Sequence, residues 1–338
     1  MTHPAFRTPL RGTIAAAAMA LGVTSLPVAA QDIVIGSNQP GSNFYTIGAA
    51  LSDVISANSD YTGRLVTSTG AGVWLPMMTS AEVDLGTVSH YEAYLAARGE
   101  GPFTQPFDIG MIAAGSGLNV GLYVREDSGI DSLDDIAGKR IGSGYAGSPA
   151  IDVFARGELA NAGLSYDDMD AQPRSTLYGG QREDVTENRL DVFYASLGSG
   201  LISELDNTIG VRFLSLDPSD EAVERMQEVY PAVVSKVEAG PPGVDEDIYM
   251  TFLPSYLVAY ATVSEEAIHT ALDALVEHNE QFRNANQALG GWTTDRFVTT
   301  DAIMPYHPHA VSYYKAKGMW SDEMDARQQE LLAEFGRN

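Results

Sequence analysis

The chain has 338 residues, no cysteine, and 45 acidic against 20 basic side chains, so its formal net charge is −25 at pH 7. The lack of cysteine excludes disulfides, thiol nucleophiles and cysteine–zinc sites. A surface this acidic argues against nucleic acid or anionic lipid as a partner. It does not make the ligand a cation, because the charge can simply keep a secreted protein solvated, and a salt-rich habitat is a further explanation.

Residues 1–30 have the pattern of a secretory signal peptide. Arg7 and Arg11 form a basic start, a short apolar run follows, and Val28-Ala29-Ala30 matches a cleavage site. We therefore expect a periplasmic mature chain that begins at Gln31, with a formal charge of −27 because two arginines are lost from −25. The apolar run is too short to span a membrane. The remaining length fits about two domains of ordinary size.

Two loops of the chain share one pattern. Ile35-Gly36-Ser37-Asn38-Gln39-Pro40-Gly41-Ser42 and Ile141-Gly142-Ser143-Gly144-Tyr145-Ala146-Gly147-Ser148 both read Ile-Gly-Ser, three residues, Gly-Ser. Asp84 follows Ile35 by 49 positions, and Asp191 follows Ile141 by 50. We interpret the repeat as two α/β lobes of one plan, each with a loop at the carboxyl end of a strand, where ligands bind in open α/β sheets. A chance likeness of two short loops is the alternative.

In the first lobe the pattern predicts alternating strands and helices. The predicted strands are 32–35, 64–68, 84–89 and 107–114, and the predicted helices are 42–57, a segment with Trp74 after the loop 69–72, and 91–97. Ser42 can cap the first helix, in which Ile47, Leu51 and Val54 recur at helical spacing.

The second lobe is expected to begin with a strand at 119–124. The further predicted elements are a turn at 133–137, a helix at 149–162, a strand at 191–196, a helix at 222–229, a turn at 240–243, a return crossing at 253–263 and a helix at 265–281. The lobes would comprise 31–119 with 258–338, and 120–257. Two crossings between discontinuous lobes imply a hinge, with a cleft between the lobes.

Several motifs, taken in order along nearly the whole mature chain, resemble those of one family. They are Pro40-Gly41-Ser42-Asn43-Phe44-Tyr45, Thr67-Ser68-Thr69-Gly70-Ala71, Glu82-Val83-Asp84-Leu85, the segment 124–140 with Leu133-Asp134-Asp135-Ile136-Ala137-Gly138-Lys139-Arg140, and Pro305-Tyr306-His307-Pro308 followed by Tyr313-Tyr314-Lys315. The family is the TAXI-type solute-binding proteins of tripartite (TRAP) transporters.

The resemblance implies a type II periplasmic binding protein, with two α/β lobes, each a mixed sheet flanked by helices, joined by two hinge crossings. It implies a monomer without cofactor or catalytic activity. Such a protein captures a small organic acid, such as glutamate or 2-oxoglutarate, and delivers it to an integral-membrane permease driven by an ion gradient. Trp74 and the segment Tyr178-Gly179-Gly180 depart from the family pattern and leave the ligand open.

The loops expected to line the cleft contain no Lys, Arg, Asp or Glu. They are residues 37–45, 67–74, 86–91, 142–149 and 194–200. Such loops can bind a carboxylate through backbone N–H groups, hydroxyls and amides at helix starts, and they offer no acid–base pair for catalysis. The predicted ligand-binding residues are Ser42, Asn43, Phe44, Tyr45, Thr69, Gly70, Trp74, His90, Gly147, Ser148, Ser196 and Arg174.

Several of these residues have alternative roles. Ser42 and Ser148 can serve only as helix caps. Trp74 can be a core or hinge residue instead of a wall of the cleft. Phe44 or Tyr45 can pack on the carbon chain of the ligand. Arg174 can bind a second carboxylate or remain a solvated surface residue.

Three further patterns suggest other functions. Residues 142–147 fit G-x-G-x-x-G, with Asp167 and Asp168 at the distance of a nicotinamide-binding acidic residue. Those aspartates lie in a polar loop after a helix and do not end an apolar strand, and export disfavours such a cofactor. His307-Pro308-His309, with His90 as a third candidate ligand, lacks a carboxylate at helical spacing for a metal site. A related two-lobed protein that serves an ATP-driven importer or a sensor is the alternative within the binding proteins.

Overall fold

Alternating strands and helices build the chain from Gln31 onward, as the computed structural model of the protein shows. The structure describes residues 1–3, 31–145, 150–174, 177, 178 and 180–337. The predicted signal peptide therefore lies almost wholly outside the described residues. Across the described ranges, no helix combines the length and the apolar character that a membrane crossing requires.

The strands are numbered in chain order. They are β1 Gln31–Asn38, β2 Tyr61–Ser68, β3 Leu85–Ser89, β4 Ile109–Ala114, β5 Leu118–Arg125, β6 Arg140–Ser143, β7 Asp170–Pro173, β8 Phe193–Ser196, β9 Val211–Phe213, β10 Val233–Val237, β11 Ile248–Leu253 and β12 Ser255–Tyr260.

The helices are numbered in the same way. They are α1 Asn43–Asn58, α2 Ala71–Thr79, α3 His90–Arg98, α4 Ala150–Asn161, α5 Gln181–Thr186, α6 Gly200–Ile209, α7 Asp220–Gln227, α8 Glu265–Val276, α9 Asn279–Asn284, α10 Pro308–Ala316 and α11 Asp322–Glu334.

The first sheet has the strand order β2-β1-β3-β12-β4. β1 is parallel to β2 and β3, whereas β12 is antiparallel to β3 and β4. We call this sheet, with the helices that share its core, lobe 1. Helix α1 packs there because its predicted apolar face, Ile47, Leu51 and Val54, is buried, and because the Ser42 hydroxyl accepts the Tyr45 N–H at 3.0 Å as a cap.

The second sheet has the order β10-β11-β5-β8, and β9 also pairs with β5. β6 and β7 form a parallel pair, and a parallel bridge between Ile141 and Val192 joins β6 to the residue before β8. The series β7-β6-β8-β5-β11 therefore repeats the order and the strand directions of β2-β1-β3-β12-β4. This repeat confirms the interpretation of two lobes built on one plan. We call the part of the chain from β5 to β11 lobe 2.

The two recurrent aspartates hold equivalent strands. The Asp84 carboxylate accepts the Val34 N–H at 2.8 Å, and the Asp191 carboxylate accepts the Arg140 N–H at 2.9 Å. Val34 and Arg140 each precede the isoleucine of a Gly-Ser loop. Both aspartates therefore have a structural role, since each carboxylate satisfies a backbone donor of a neighbouring strand.

The chain crosses between the lobes twice. Residues 115–117 lead from β4 to β5, and Pro254 alone separates β11 from β12. The predicted crossing 253–263 therefore contains the last residue of β11, then Pro254, which has no N–H to donate, and then the whole of β12. The predicted lobe limits, 119/120 and 257/258, lie within β5 and β12, each of which belongs wholly to one sheet. The exact limits of the two lobes stay a prediction.

Other elements differ from their predictions. The helix expected over 265–281 is interrupted, because the Asn279 side-chain amide donates to the Leu275 carbonyl at 2.8 Å and ends α8. Helix α7 begins two residues early because the Ser219 hydroxyl accepts the Ala222 N–H. The elements that were not predicted include β7, β9, β10, β11, α5 and α6, most of them short.

Candidate functional site

Asn43 joins the two lobes at the start of α1. Its side chain is buried, and its amide donates to the backbone carbonyl of Leu197 in lobe 2 at 3.0 Å. Gly41 lies beside the same segment, with Leu201 and Gly200 its nearest neighbours across the gap. The first Gly-Ser loop therefore contacts the loop that follows β8, as expected for two loops that face one cleft.

The Ser42 side chain forms hydrogen bonds at the start of α1. Its hydroxyl accepts the Tyr45 N–H and donates to the Gln39 carbonyl at 2.9 Å, and the side chain is buried. A hydroxyl has one proton to donate, so Ser42 cannot also donate to a ligand while it keeps this bond. The capping alternative accounts for its side chain in this structure.

Phe44 and Tyr45 are both partly exposed. Phe44 packs against the cores of both lobes, and its carbonyl accepts the Thr87 hydroxyl at 3.2 Å. Phe44 is thus an apolar contact between the lobes, in a position suited to cover the carbon chain of a bound molecule.

The segment after β2 divides into an accessible part and a buried part. Thr69 is partly exposed and Gly70 is buried at the start of α2. Trp74 is 0% exposed and belongs to the core of lobe 1. A Cβ atom on Gly36 or Gly86 would lie 2.8 or 2.2 Å from its ring, so the indole rests directly on β1 and β3.

The position of Trp74 corrects its assignment to the wall of the cleft. A side chain enclosed on all sides has no surface to offer a ligand in this conformation. The two glycines that admit the ring are Gly36, in the first Gly-Ser loop, and Gly86, two residues after Asp84. The core alternative is the one that the structure supports.

His90, the first residue of α3, lies at the hinge. Its N–H donates to the Pro254 carbonyl at 2.8 Å, and its ring meets that of Tyr256 edge to face at 6.1 Å. Burial lowers the pKa of His90 to about 4, although the Pro254 carbonyl opposes this shift. His90 lines a cavity of about 580 Å³ that includes none of the other predicted site residues among those the structure describes.

The lobe 2 side of the cleft is described only in part. Gly147 and Ser148 lie outside the described residues. Ser196, at the end of β8, is buried, and its hydroxyl lies 3.1 Å from that of Tyr178. The segment that departs from the family pattern therefore contributes a phenol beside a predicted ligand-binding residue.

Arg174 is neutralised by a neighbour. Its guanidinium contacts the Asp184 carboxylate at 2.7 Å, and that carboxylate is largely buried. Its backbone N–H donates to the Ser143 carbonyl at 2.8 Å, which fixes the residue beside the second Gly-Ser loop. The structure therefore gives Arg174 a partner other than a ligand, and it does not support the solvated alternative.

An aromatic contact between the lobes was missed by the sequence analysis. The Tyr91 ring of lobe 1 lies 5.6 Å from that of Tyr230 and 6.1 Å from that of Phe154, both in lobe 2. The only signal was that Tyr91 follows His90 in a predicted loop. The partners are separated by more than fifty positions in the chain, so no local pattern could reveal the contact.

The features behind the other functional alternatives are largely structural. Asp168 accepts from the Ser165 N–H and hydroxyl, both at 2.9 Å, in a capping arrangement and not at the end of a strand. His307 starts α10, where its Nδ1 accepts the His309 N–H at 3.2 Å. In the portion of the chain that is described, no group of three or more His, Asp or Glu side chains is placed to hold a metal ion.

The likeness to known proteins extends over most of the chain. The profile of the NMT1-like family matches residues 35–318. A binding protein component of an ABC phosphonate transporter from Pseudomonas aeruginosa is 14% identical with a TM-score of 0.50, over 91% of this chain and 96% of that one. A protein from Bordetella bronchiseptica is 12% identical with a TM-score of 0.51, over 88% and 97%. A structure described as a periplasmic transporter is 13% identical with a TM-score of 0.51, over 90% and 96%. These structures share the two-lobed fold of periplasmic binding proteins.

Proposed function

The chain belongs to the NMT1-like family, and from this membership and the two-lobed fold we propose that it is the substrate-binding protein of a membrane transporter. In this role it is exported, loses residues 1–30, and works in the periplasm as a monomer without a cofactor. It binds its solute between the lobes and presents the closed form to an integral-membrane permease. It carries out no reaction.

The contact between Asn43 and Leu197 is the observation that carries this proposal. It places the loop that precedes α1 against the loop that precedes α6, 154 positions later in the chain. A solute that touches both loops favours the closed state by the difference between its affinities for the closed and open states. Bending at residues 115–117 and Pro254 supplies the motion.

The solute that this site would suit is a small organic acid, such as glutamate or 2-oxoglutarate. The pairing of Arg174 with Asp184 leaves hydroxyls, amides and the N–H groups of helix starts to bind the carboxylate. Asn43, Tyr45, Thr69 and Ser196 would contribute to it. We propose that the Gly-rich loops donate further hydrogen bonds to the carboxylate, from the N–H groups of Gly70 and Gly147 and from the hydroxyl of Ser148.

The transporter we propose is of the TRAP type, with a binding protein of the TAXI kind. The motifs around Pro40, Thr67 and Glu82 support this choice, because they occur in that family's order. A permease of this type uses an ion gradient. The second candidate is an ABC importer, and it is favoured by the phosphonate transporter component that shares the fold.

A thermal-shift screen of the mature chain tests the binding role. The screen includes mono- and dicarboxylates, amino acids, sulfonates, phosphonates and nicotinamide cofactors. We expect one carboxylate class to raise the Tm with increasing concentration, because a ligand that binds only the folded state stabilises it. A response confined to a nicotinamide cofactor would instead support an oxidoreductase and overturn the proposal.

The transporter type is tested by solute uptake into vesicles that hold a candidate TRAP permease. We expect uptake to depend on this protein and to stop when the ion gradient is collapsed. Uptake that continues without the gradient but requires ATP would replace the TRAP proposal by the ABC one.

Mass measurement of the exported chain shows whether it begins at Gln31.

A further inference from the structure

The cavity that His90 lines is built on the hinge itself. Both crossings contribute to it, through Gly115, Gly117 and Pro254. One wall belongs to lobe 1, with His90 and Tyr256, and the facing wall belongs to lobe 2. At about 580 Å³ the cavity is of a size that small-molecule sites commonly have.

The lobe 2 wall of this hinge cavity is apolar and accessible. It consists of Pro231, Val233 and Phe252. Val233 is 51% exposed, which is uncommon for a large apolar side chain in this protein. The Phe252 ring lies so close to Gly117 that a Cβ atom there would be 2.0 Å from it, so the ring is held in place against the crossing.

The remaining edge of the hinge cavity carries its charges. Among the described residues that line it, Asp295 and Asp301 are acidic and Arg296 is basic, so the formal charge of the lining is −1. His90 adds no charge at pH 7, because burial keeps its imidazole neutral. The charge of the lining therefore favours a cation over an anion in this cavity.

His90 adds a polar group to the aromatic part of the wall. The side chain is 9% exposed, and its Nδ1 has no hydrogen-bond partner within the described part of the chain. Tyr256 and Phe252 also line the cavity, and aromatic rings can pack on an apolar or aromatic body.

We propose that the hinge cavity is a second binding site, separate from the cleft, for a small organic amine with an apolar or aromatic body. The ammonium group lies toward Asp301 and Asp295, and the body lies against Val233 and Phe252. Because the walls belong to different lobes, hinge bending changes the shape of the cavity. Binding of the amine is therefore coupled to binding in the cleft, by the same factor in both directions.

Calorimetric titration with three probes of one shape tests the site. The probes are 2-phenylethylammonium, 2-phenylethanol and 3-phenylpropionate, which differ in the charge of the head group. We expect the ammonium probe to bind at one site per chain and the alcohol to bind at least about tenfold more weakly, since a charge-assisted bond is lost. Equal binding of the ammonium and the alcohol would overturn the proposed amine class.

Variants locate the probe. Val233→Trp fills the cavity and Val233→Arg brings positive charge into it, so both should abolish binding of the ammonium probe. Ala57→Trp is the control, because Ala57 is exposed near the C-terminal end of α1 and is not among the residues that line the cavity. Binding that survives both Val233 variants would refute the site.

A charge variant separates the local carboxylate from the overall field. Asp301→Asn should weaken the ammonium probe about tenfold, whereas Asp53→Asn, an exposed carboxylate on α1, should leave it unchanged. Equal weakening by both would contradict a specific site. If Asn43→Ala weakens the binding of 3-phenylpropionate and the Val233 variants do not, that probe binds in the cleft. The hinge-cavity proposal and the proposed function can therefore fail independently, and the two failures can be told apart.

Discussion

The side-chain amide of Asn43 donates to the backbone carbonyl of Leu197 at 3.0 Å and so links the two lobes directly. The bond lies between two segments that belong to different cores and that can separate only when the hinge opens. Its strength therefore contributes to the balance between the open and closed forms. That balance sets how much of the solute's binding energy is used to close the protein.

Asn43→Ala should weaken binding of the solute while leaving the stability of the ligand-free chain nearly unchanged. One hydrogen bond of this kind contributes about 0.5–1.5 kcal/mol, so we expect the Kd to rise by about two- to tenfold. Calorimetric titration with the solute found in the screen measures it. Asn43→Asp, which removes the donor and places a carboxylate against a carbonyl, should weaken binding further. Unchanged affinity in both variants would contradict a role for this contact in closure.

Ser42→Ala should act mainly on stability. The hydroxyl caps α1, and loss of such a cap costs about 0.5–2 kcal/mol of the free energy of unfolding. Ser42→Asp keeps the cap and should restore stability, but its negative charge should oppose a carboxylate bound at the same helix start. Urea unfolding and titration, made on both variants, separate the two roles. A Ser42→Ala protein of full stability with impaired binding would show that the hydroxyl serves the ligand.

Gly86→Ala should destabilise the protein more than Gly36→Ala. The new Cβ atom would lie 2.2 Å from the Trp74 ring at Gly86 and 2.8 Å at Gly36. Overpacking of this kind costs about 1–3 kcal/mol. Trp74→Leu should partly restore the Gly86→Ala protein, because the clash is removed, and a double-mutant cycle on the unfolding free energies measures the coupling. Additive effects would mean that the ring is not what excludes the side chain.

Glu158 makes stability depend on pH. Its carboxyl is 1% exposed in lobe 2, where it accepts from the Leu122 N–H and the Thr251 hydroxyl, both at 2.8 Å. Burial raises the pKa of Glu158 to about 8, against the lowering effect of those two donors. In the unfolded chain a glutamate ionises near about 4.3. Between these values the folded state binds more protons than the unfolded one, so this residue's contribution to stability falls as pH rises.

Glu158→Gln should remove that contribution. Relative to the variant, the unmodified protein should lose up to about 1.4 kcal/mol per pH unit between pH 5 and pH 8, and the difference should level off above the folded pKa. Urea unfolding at unit steps of pH measures both proteins. Glu238→Gln, an exposed glutamate, is the control and should run parallel to the unmodified chain. If the free energy of unfolding of Glu158→Gln had the same pH dependence as that of the unmodified protein, the Glu158 carboxyl would be ionised in the folded state.

The sequence by itself determined the plan of this protein. The repeated Gly-Ser loops and the matched spacing of Asp84 and Asp191 predicted two lobes of one design, because strand starts and helix starts are governed by neighbours a few positions away. The cap at Ser42 and the buried face of α1 were predicted in the same way, from residues close together in the sequence.

Only the tertiary structure decided which side chains meet. It places Trp74 in a core, pairs Arg174 with Asp184, and seats His90 at the hinge, and in each case the partner lies elsewhere in the chain or on another element. Trp74 is enclosed because two glycines on adjacent strands admit its ring, and the link between Asn43 and Leu197 exists because both lobes turn their loops toward one cleft. Such contacts depend on packing across long separations, and local patterns carry no information about them.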